Sequence, residues 1–363
     1  MAAPGDNRPL ASADRGARDS IEAAGQATGA FGIGPPARIT RHGTGNINDS
    51  YRLSSPDGGD YLLQRINQAV FDHPERIARN LERLYAARPD RLPEILRAAD
   101  GELLHRDAEG EFWRLYRFVS GSRHADTAAT PEIAREAGRA FGSFLNETRD
   151  LRPADFEDTV PGFHDLRARL GALERAIGAD VRGRVRHAQD ACAVIERHSG
   201  LAAIEFPRDR IAHNDCKISN VLFAADGPRA LCVVDLDTVM PGAAGFDFGD
   251  LVRSAAARTD ENETDAARIG LDLARTEAIA GGFCETTVLT ASERESLVDG
   301  ILHVTFMLAV RFLTDHLDGD RYFRTAYRDH NLDRARNQLA LLRDMERRRP
   351  ALEKVIRAAA KGA

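Results

Sequence analysis

The sequence predicts an α+β chain of two lobes, a small antiparallel β-sheet followed by a larger and mainly helical part. Three observations carry this. Short strand-like runs separated by glycine-rich turns fill residues 39–119. From Pro131 onward, apolar residues recur at helical spacing. Within the helical part lies one β-rich island, Ile211 to Val234, set with clustered Asp and Asn residues. At 363 residues the chain is long enough for two cores.

Residues 1–26 are rich in Ala, Gly, Arg and Asp, so a disordered tail is expected. They hold no apolar core of a secretory signal. The first lobe is expected over 27–119. Ile39 to Arg52 reads as strand, glycine turn and strand, with Gly43 and Gly45 where backbone turns sharply or approaches an anion. Pro56 to Asp60 is a hairpin turn, and Tyr61 to Ile66 a third strand, on which Gln64 and Arg65 point to opposite faces. Asp72 to Ala87 predicts a helix through Ile77, Leu81 and Leu84. Leu103 to His105 and Phe112 to Val119 complete five strands, and Ser120-Gly121-Ser122 is the hinge into a second lobe over 120–363.

In that lobe Pro131 to Asn146 predicts a helix, with Ile133, Ala137, Phe141 and Leu145 on one face. Leu166 to His198 predicts one or two helices, Glu293 to Leu317 a long one, and residues 331–349 a basic terminal one. No apolar run approaches 18 residues, so no membrane span is expected. The net charge of −6 argues against nucleic acid and membrane surfaces as partners. Cys192, Cys216, Cys232 and Cys284 show neither C-x-x-C nor zinc spacing, so reduced thiols and a cytoplasmic location are expected. A monomer or weak dimer is the expected state.

The chemistry concentrates between Ile211 and Asp250. His213-Asn214-Asp215 leads through Cys216 to Ser219 into Asn220, and Val221-Leu222-Phe223 follows. Asp226-Gly227 is a hairpin signal, and Leu231 to Val234 a return strand ending at Asp235. Such a hairpin brings Asp215, Asn220 and Asp235 to one end. Phosphoryl transfer needs that trio: a carboxylate to deprotonate the attacking hydroxyl, and a carboxylate and an amide oxygen to hold Mg²⁺ on ATP. The spacing H-x-D-x-x-x-x-N is the kinase catalytic-loop pattern, with Asp215 as base and Asn220 and Asp235 as metal ligands. An adenine is then expected against the backbone near Phe118 and Val119.

The stretch resembles the aminoglycoside phosphotransferase and choline kinase superfamily, which implies a protein-kinase-like bilobal fold. Asp235-Leu236-Asp237-Thr238-Val239-Met240-Pro241-Gly242, Phe246 to Asp250, Gly45 to Tyr51, Leu63 to Asn67 and Arg311 to Asp315 resemble the N-acetylhexosamine 1-kinases within it. The resemblance implies that Arg65 pairs with the nucleotide phosphates and that Asp247 or Asp250 braces the catalytic loop. It also implies sugar contacts for Asp237, Arg311 and Tyr322. Read alone, Arg311 and Asp315 are equally an i,i+4 ion pair on one helix. The loop reads Gly45-Asn46 where relatives often carry histidine at the second place.

Other readings are weaker. A protein kinase needs a long activation segment, yet only eleven residues separate Asp235 from Asp247. A pseudoenzyme would have lost one of Asp215, Asn220 and Asp235. A metal-dependent hydrolase requires more clustered ligands. Choline, homoserine and aminoglycoside kinases remain alternatives on the same scaffold.

Overall fold

The computed structural model describes residues 20–361, except 44–46, 57, 89–91, 126 and 128. The chain divides into two compact units, Met1–Ala78 with Pro93–Ser120, and Arg79–Leu92 with Gly121–Ala363. The expected hinge at Ser120-Gly121 coincides with one boundary. The other falls inside a helix.

The first unit is an antiparallel sheet. Its strands β1 (Arg38–Arg41), β2 (Asp49–Ser54), β3 (Asp60–Arg65) and β6 (Phe112–Arg117) lie side by side in that order. β4 (Ile95–Leu96) and β5 (His105–Arg106) both pair with β6. The sheet therefore has six strands, not five, because two residues of Ile95-Leu96 suffice to pair and leave no periodic signal. Residues 20–27 form helix α1, correcting the expected tail through residue 26. Ala24, Ala27 and Phe31 are buried against Tyr51, Leu53, Leu63, Trp113 and Leu115. Alanine supplies most of that stripe, so apolar periodicity was faint while burial is real.

The second unit is mainly helical. α2 (Pro74–Ala87) starts at a proline, whose missing N–H costs nothing at a first helical position. Its Asn80 donates to the carbonyls of Glu157 and Val239, at 2.8 and 3.0 Å. α3 (Pro131–Glu147) is capped by the Thr130 side chain. α4 (Leu166–Ala179) and α5 (Gln189–His198) resolve the 166–198 region into two helices. The β-rich island becomes β8 (Arg210–Ala212), β9 (Val221–Ala224), β10 (Ala230–Val233) and β11 (Met240–Gly242). β9 and β10 form the expected hairpin, joined on the other side by β7 (Ser122–Arg123), while β8 pairs with β11.

Helices α6 (Ala244–Ala255), α7 (Leu273–Thr286), α8 (Ala291–Asp318), α9 (His330–Arg347) and α10 (Arg349–Lys361) complete the unit. The fold thus continues past the expected terminal helix. α8 is long and apolar enough to cross a membrane by composition, against the expectation of no such run. Most of it is buried in the protein, with α4, α6 and α9 packed on it, so its apolarity is that of a core helix.

α7 was not expected, since Gly281-Gly282 reads as a helix breaker. The glycines serve packing instead. A Cβ on Gly138 of α3 would lie 2.4 Å from the Ile279 carbonyl, and one on Gly282 of α7 would lie 2.1 Å from the Arg135 carbonyl. The two backbones meet with no room for a methyl group. Gly282→Ala gains about 1 kcal/mol of helix propensity but forces the helices apart, costing about 1–3 kcal/mol. The urea midpoint should therefore fall; a rise would show that the helices separate freely.

Candidate active site

The site is built on the exit from β8. His213 and Asn214 leave the strand, and Asn214 adopts a left-handed backbone with φ 64°. A buried carboxylate holds this turn. Asp247 of α6 accepts the His213 amide at 2.9 Å and the Asn214 amide at 2.7 Å. Burial pushes the Asp247 pKa up, while His213, the two amides and the Cys216 thiol pull it back. Of the two expected braces, Asp247 is the one on the loop; Asp250 pairs with Arg253 at 2.8 Å.

The loop is tied equally firmly to the segment after β10. Asn214 Nδ2 is shared by the carbonyls of Ala212, Thr238 and Met240, at 3.1, 3.0 and 3.2 Å. Thr238 donates to the His213 carbonyl at 2.8 Å, and the His213 ring contacts the Val234 carbonyl at 2.9 Å. Phe141 and Phe144 of α3 pack edge-on against that ring. Backbone and ring are locked together.

Asp215 follows, with its side chain 24% exposed. Lys217 Nζ lies 2.9 Å from Asp215 Oδ2, and Asn220 Nδ2 donates to the Asp215 carbonyl and Oδ2 at 2.8 and 3.0 Å. Burial works against an ionised Asp215, yet Lys217, His213 and Asn220 outweigh it and hold the pKa below the ordinary carboxylate range. Burial likewise opposes charge on Lys217, but Asp215 and then Asp235 push its pKa up. Lys217 thus senses both carboxylates. Val234 N donates to the Asn220 carbonyl at 2.9 Å, so the hairpin delivers Asp235 beside Asn220. Both amide hydrogens face Asp215, which leaves Asn220 Oδ1 as the oxygen available to a cation. Asp215, Asn220 and Asp235 therefore converge, with Lys217 as a member that the sequence reading missed. Its signal was a cation two residues past the base.

The acceptor candidates lie on the same unit. Arg311 of α8 sits over the rings of Phe163, Tyr322 and Phe323, at 5.1, 5.2 and 5.4 Å. Asp315 does not pair with it. It accepts the amides of Arg321, Tyr322 and Phe323 at 2.8–2.9 Å and so fixes the turn that presents Tyr322. His164 is close enough for Arg311 and Asp215 to act on its titration. Asp237 is 1% exposed, inside the turn Leu236–Thr238.

The nucleotide candidates lie on the first unit. Arg65 Nη2 contacts Asp49 Oδ2 at 2.6 Å, and its guanidinium stands 5.9 Å from the Trp113 ring, on the sheet face covered by α1. Gln64 faces the other way, donating to Ser50 at 2.9 Å and accepting from Arg114 at 3.0 Å. Arg114, fully buried, is a second cation that the sequence reading missed. Gly43 has φ 74°, a conformation that favours glycine. Its neighbour His42 packs edge-on against Phe118, which also carries the Arg52 guanidinium at 4.2 Å. The glycine turn and the segment of Phe118 and Val119 are therefore neighbours; Gly45 lies outside the described residues.

The four cysteines are free, and burial pushes the Cys216 thiol well up, so it is an inert core residue. Among the described residues, no three His, Cys, Asp or Glu side chains gather as a metal cluster.

The fold and this loop define a kinase-like small-molecule phosphotransferase. The chain belongs to the phosphotransferase enzyme family, whose model matches residues 38–281. It is similar to a microcompartment-associated aminopropanol kinase, at 18% identity and TM-score 0.60, covering 92% of this chain and 98% of that one. It is also similar to an aminoglycoside phosphotransferase from Alicyclobacillus acidocaldarius, at 15% identity and TM-score 0.59, with 99% and 98% covered. An amicoumacin kinase in complex with AMP-PNP and Ca²⁺ is similar at 12% identity and TM-score 0.59, with 92% and 96% covered. These likenesses confirm the kinase-like fold with its antiparallel sheet and helical part.

Lys217→Met removes the main charge that keeps Asp215 ionised, leaving burial to raise its pKa. The acid limb of the kcat/KM profile should move to higher pH. An unmoved limb would show that Asp215 is not the titrating base. Asp215→Asn should retain the fold and lose about 10²–10⁴-fold in kcat.

Proposed function

We propose that this protein is an ATP- and Mg²⁺-dependent sugar 1-kinase, transferring the γ-phosphoryl group to the anomeric hydroxyl of an N-acetylhexosamine or related hexose. The observation that carries this reading is the placement of Arg311, stacked among Phe163, Tyr322 and Phe323, in the same unit as the Asp215 loop. His164, which feels both Arg311 and Asp215, links the two. A planar guanidinium with uncommitted N–H groups suits ring and hydroxyl oxygens. An aromatic floor suits the C–H face of a sugar.

In this reading Asp215 accepts a hydrogen bond from the attacking hydroxyl and takes its proton as the bond to phosphorus forms. A base with a lowered pKa is adequate, because phosphoryl transfer has a loose transition state in which positioning matters more than proton affinity. Lys217 keeps Asp215 ionised until then. Asn220, through Oδ1, and Asp235 would hold the metal. When bound, Mg²⁺ neutralises the charge of the β- and γ-phosphates. The turn at Gly43 and Gly45 is assigned to the nucleotide phosphates, and Phe118 and Val119 to the adenine. Arg65 is withdrawn from the phosphates, because strand alternation sets it on the α1-covered face, opposite Gln64 and the Arg52–Phe118 contact. Asp237, Arg311 and Tyr322 are assigned to the sugar. Asp237 requires its buried carboxylate to be reached from the acceptor side.

A second reading stays open, a kinase of another small alcohol, because one similar protein is an aminopropanol kinase. An amino-alcohol pocket favours anionic groups, whereas Arg311 presents a cation.

Two measurements test the proposal. Free sugars, amino alcohols and aminoglycosides with ATP and Mg²⁺ should release nucleoside diphosphate only with sugars. Turnover confined to choline or an amino alcohol would sink the sugar reading while sparing the kinase. Asp235→Ala should abolish Mg²⁺-dependent ATP binding in calorimetry, whereas an unchanged magnesium dependence places the metal elsewhere.

A further inference from the structure

A second arginine stands beside Arg311. Both act on Phe163: Arg311 lies 5.1 Å from its ring, and Arg169 of α4 donates to its carbonyl at 3.3 Å. Burial lowers the Arg169 pKa, and the Arg311 charge lowers it further. Two like charges this close, partly withdrawn from water, repel unless something anionic sits between them.

Among the described residues the Asp165 charge opposes this repulsion at Arg169, but no carboxylate pairs with either guanidinium. Arg169 Nε is buried without a hydrogen-bond partner. Two neighbouring carboxylates are committed elsewhere. Asp315, one turn along α8 from Arg311, is spent on the amides of residues 321–323. Asp165 caps α4 through the Ala168 amide at 2.9 Å. The aromatic rings compensate part of the Arg311 charge but accept none of the in-plane N–H donors of either fork.

We propose that Arg169 and Arg311 together bind a carboxylate on the acceptor, so that the substrate class is an acidic sugar. This rests on the sugar-kinase reading and narrows it. A carboxylate fits a planar guanidinium fork in two parallel hydrogen bonds. Placed between two such forks it relieves their repulsion. His164 lies next to Phe163 and within the influence of both Arg311 and Asp215. A sugar anchored by its carboxylate at the arginines therefore extends its hydroxyl toward the base.

The test compares matched acceptors on the full-length enzyme with ATP and Mg²⁺: glucuronate with glucose, galacturonate with galactose, and glucose 6-phosphate as a second anion. The acidic member of each pair should be preferred in kcat/KM by about tenfold to a hundredfold, the value of a charge-assisted pair. Arg169→Gln should bring the ratio close to one, and Arg169→Lys, which keeps the charge, should hold it between the two. Equal or better turnover of the neutral sugars by the wild type overturns the proposal and leaves the sugar-kinase reading standing. A preference for glucose 6-phosphate over glucuronate overturns the carboxylate and assigns the pair to phosphate. No turnover of any sugar overturns both readings. The wild-type ratio alone decides the matter if the Gln variant does not fold.

Discussion

One buried carboxylate sets the geometry on which the chemistry depends. Asp247 takes the amides of His213 and Asn214 at 2.9 and 2.7 Å, inside a region fully closed to water. A buried charge is costly unless hydrogen bonds compensate it, and here two backbone donors do. The return is a chain forced through a left-handed residue, so that Asp215 leaves the loop beside Lys217 and Asn220. Without the brace, that conformation would lose two of the hydrogen bonds that hold it.

The rest of the second unit serves this turn. The β8–β11 pair places Ala212 opposite Met240, which lets Asn214 reach three carbonyls at once. The β9–β10 hairpin brings Asp235 back to Asn220. α6 can carry Asp247 so close because Gly249 and Gly300 let it press on α8, where a Cβ on Gly249 would stand 2.4 Å from the Gly300 carbonyl. Close helix packing, a buried acid and a strained residue act as one device.

Much of this was legible in the sequence. The order and spacing of Asp215, Asn220 and Asp235 announced the chemistry, and the Asp226-Gly227 turn announced the hairpin that unites them. The choice between Asp247 and Asp250 was not legible. Both lie on α6, three residues apart, and only the packing of that helix decides which faces the loop. Lys217 escaped notice because a lone lysine has no periodic signature. α1 and α7 were hidden by composition, one built on alanine and the other interrupted by paired glycines. Arg311 and Asp315 read as an ion pair from spacing alone. The turn at residues 321–323 competes for Asp315 with three amides, and three donors outweigh one half-buried partner that stacks on aromatic rings.

The central claim is that the Asp215 loop directs a phosphoryl group onto an anomeric oxygen. Phosphorus NMR on the isolated product of a hexose acceptor, incubated with ATP and Mg²⁺, tests it most directly. The account predicts a phosphate resonance coupled to the anomeric proton. A phosphate coupled instead to the C6 protons would contradict it.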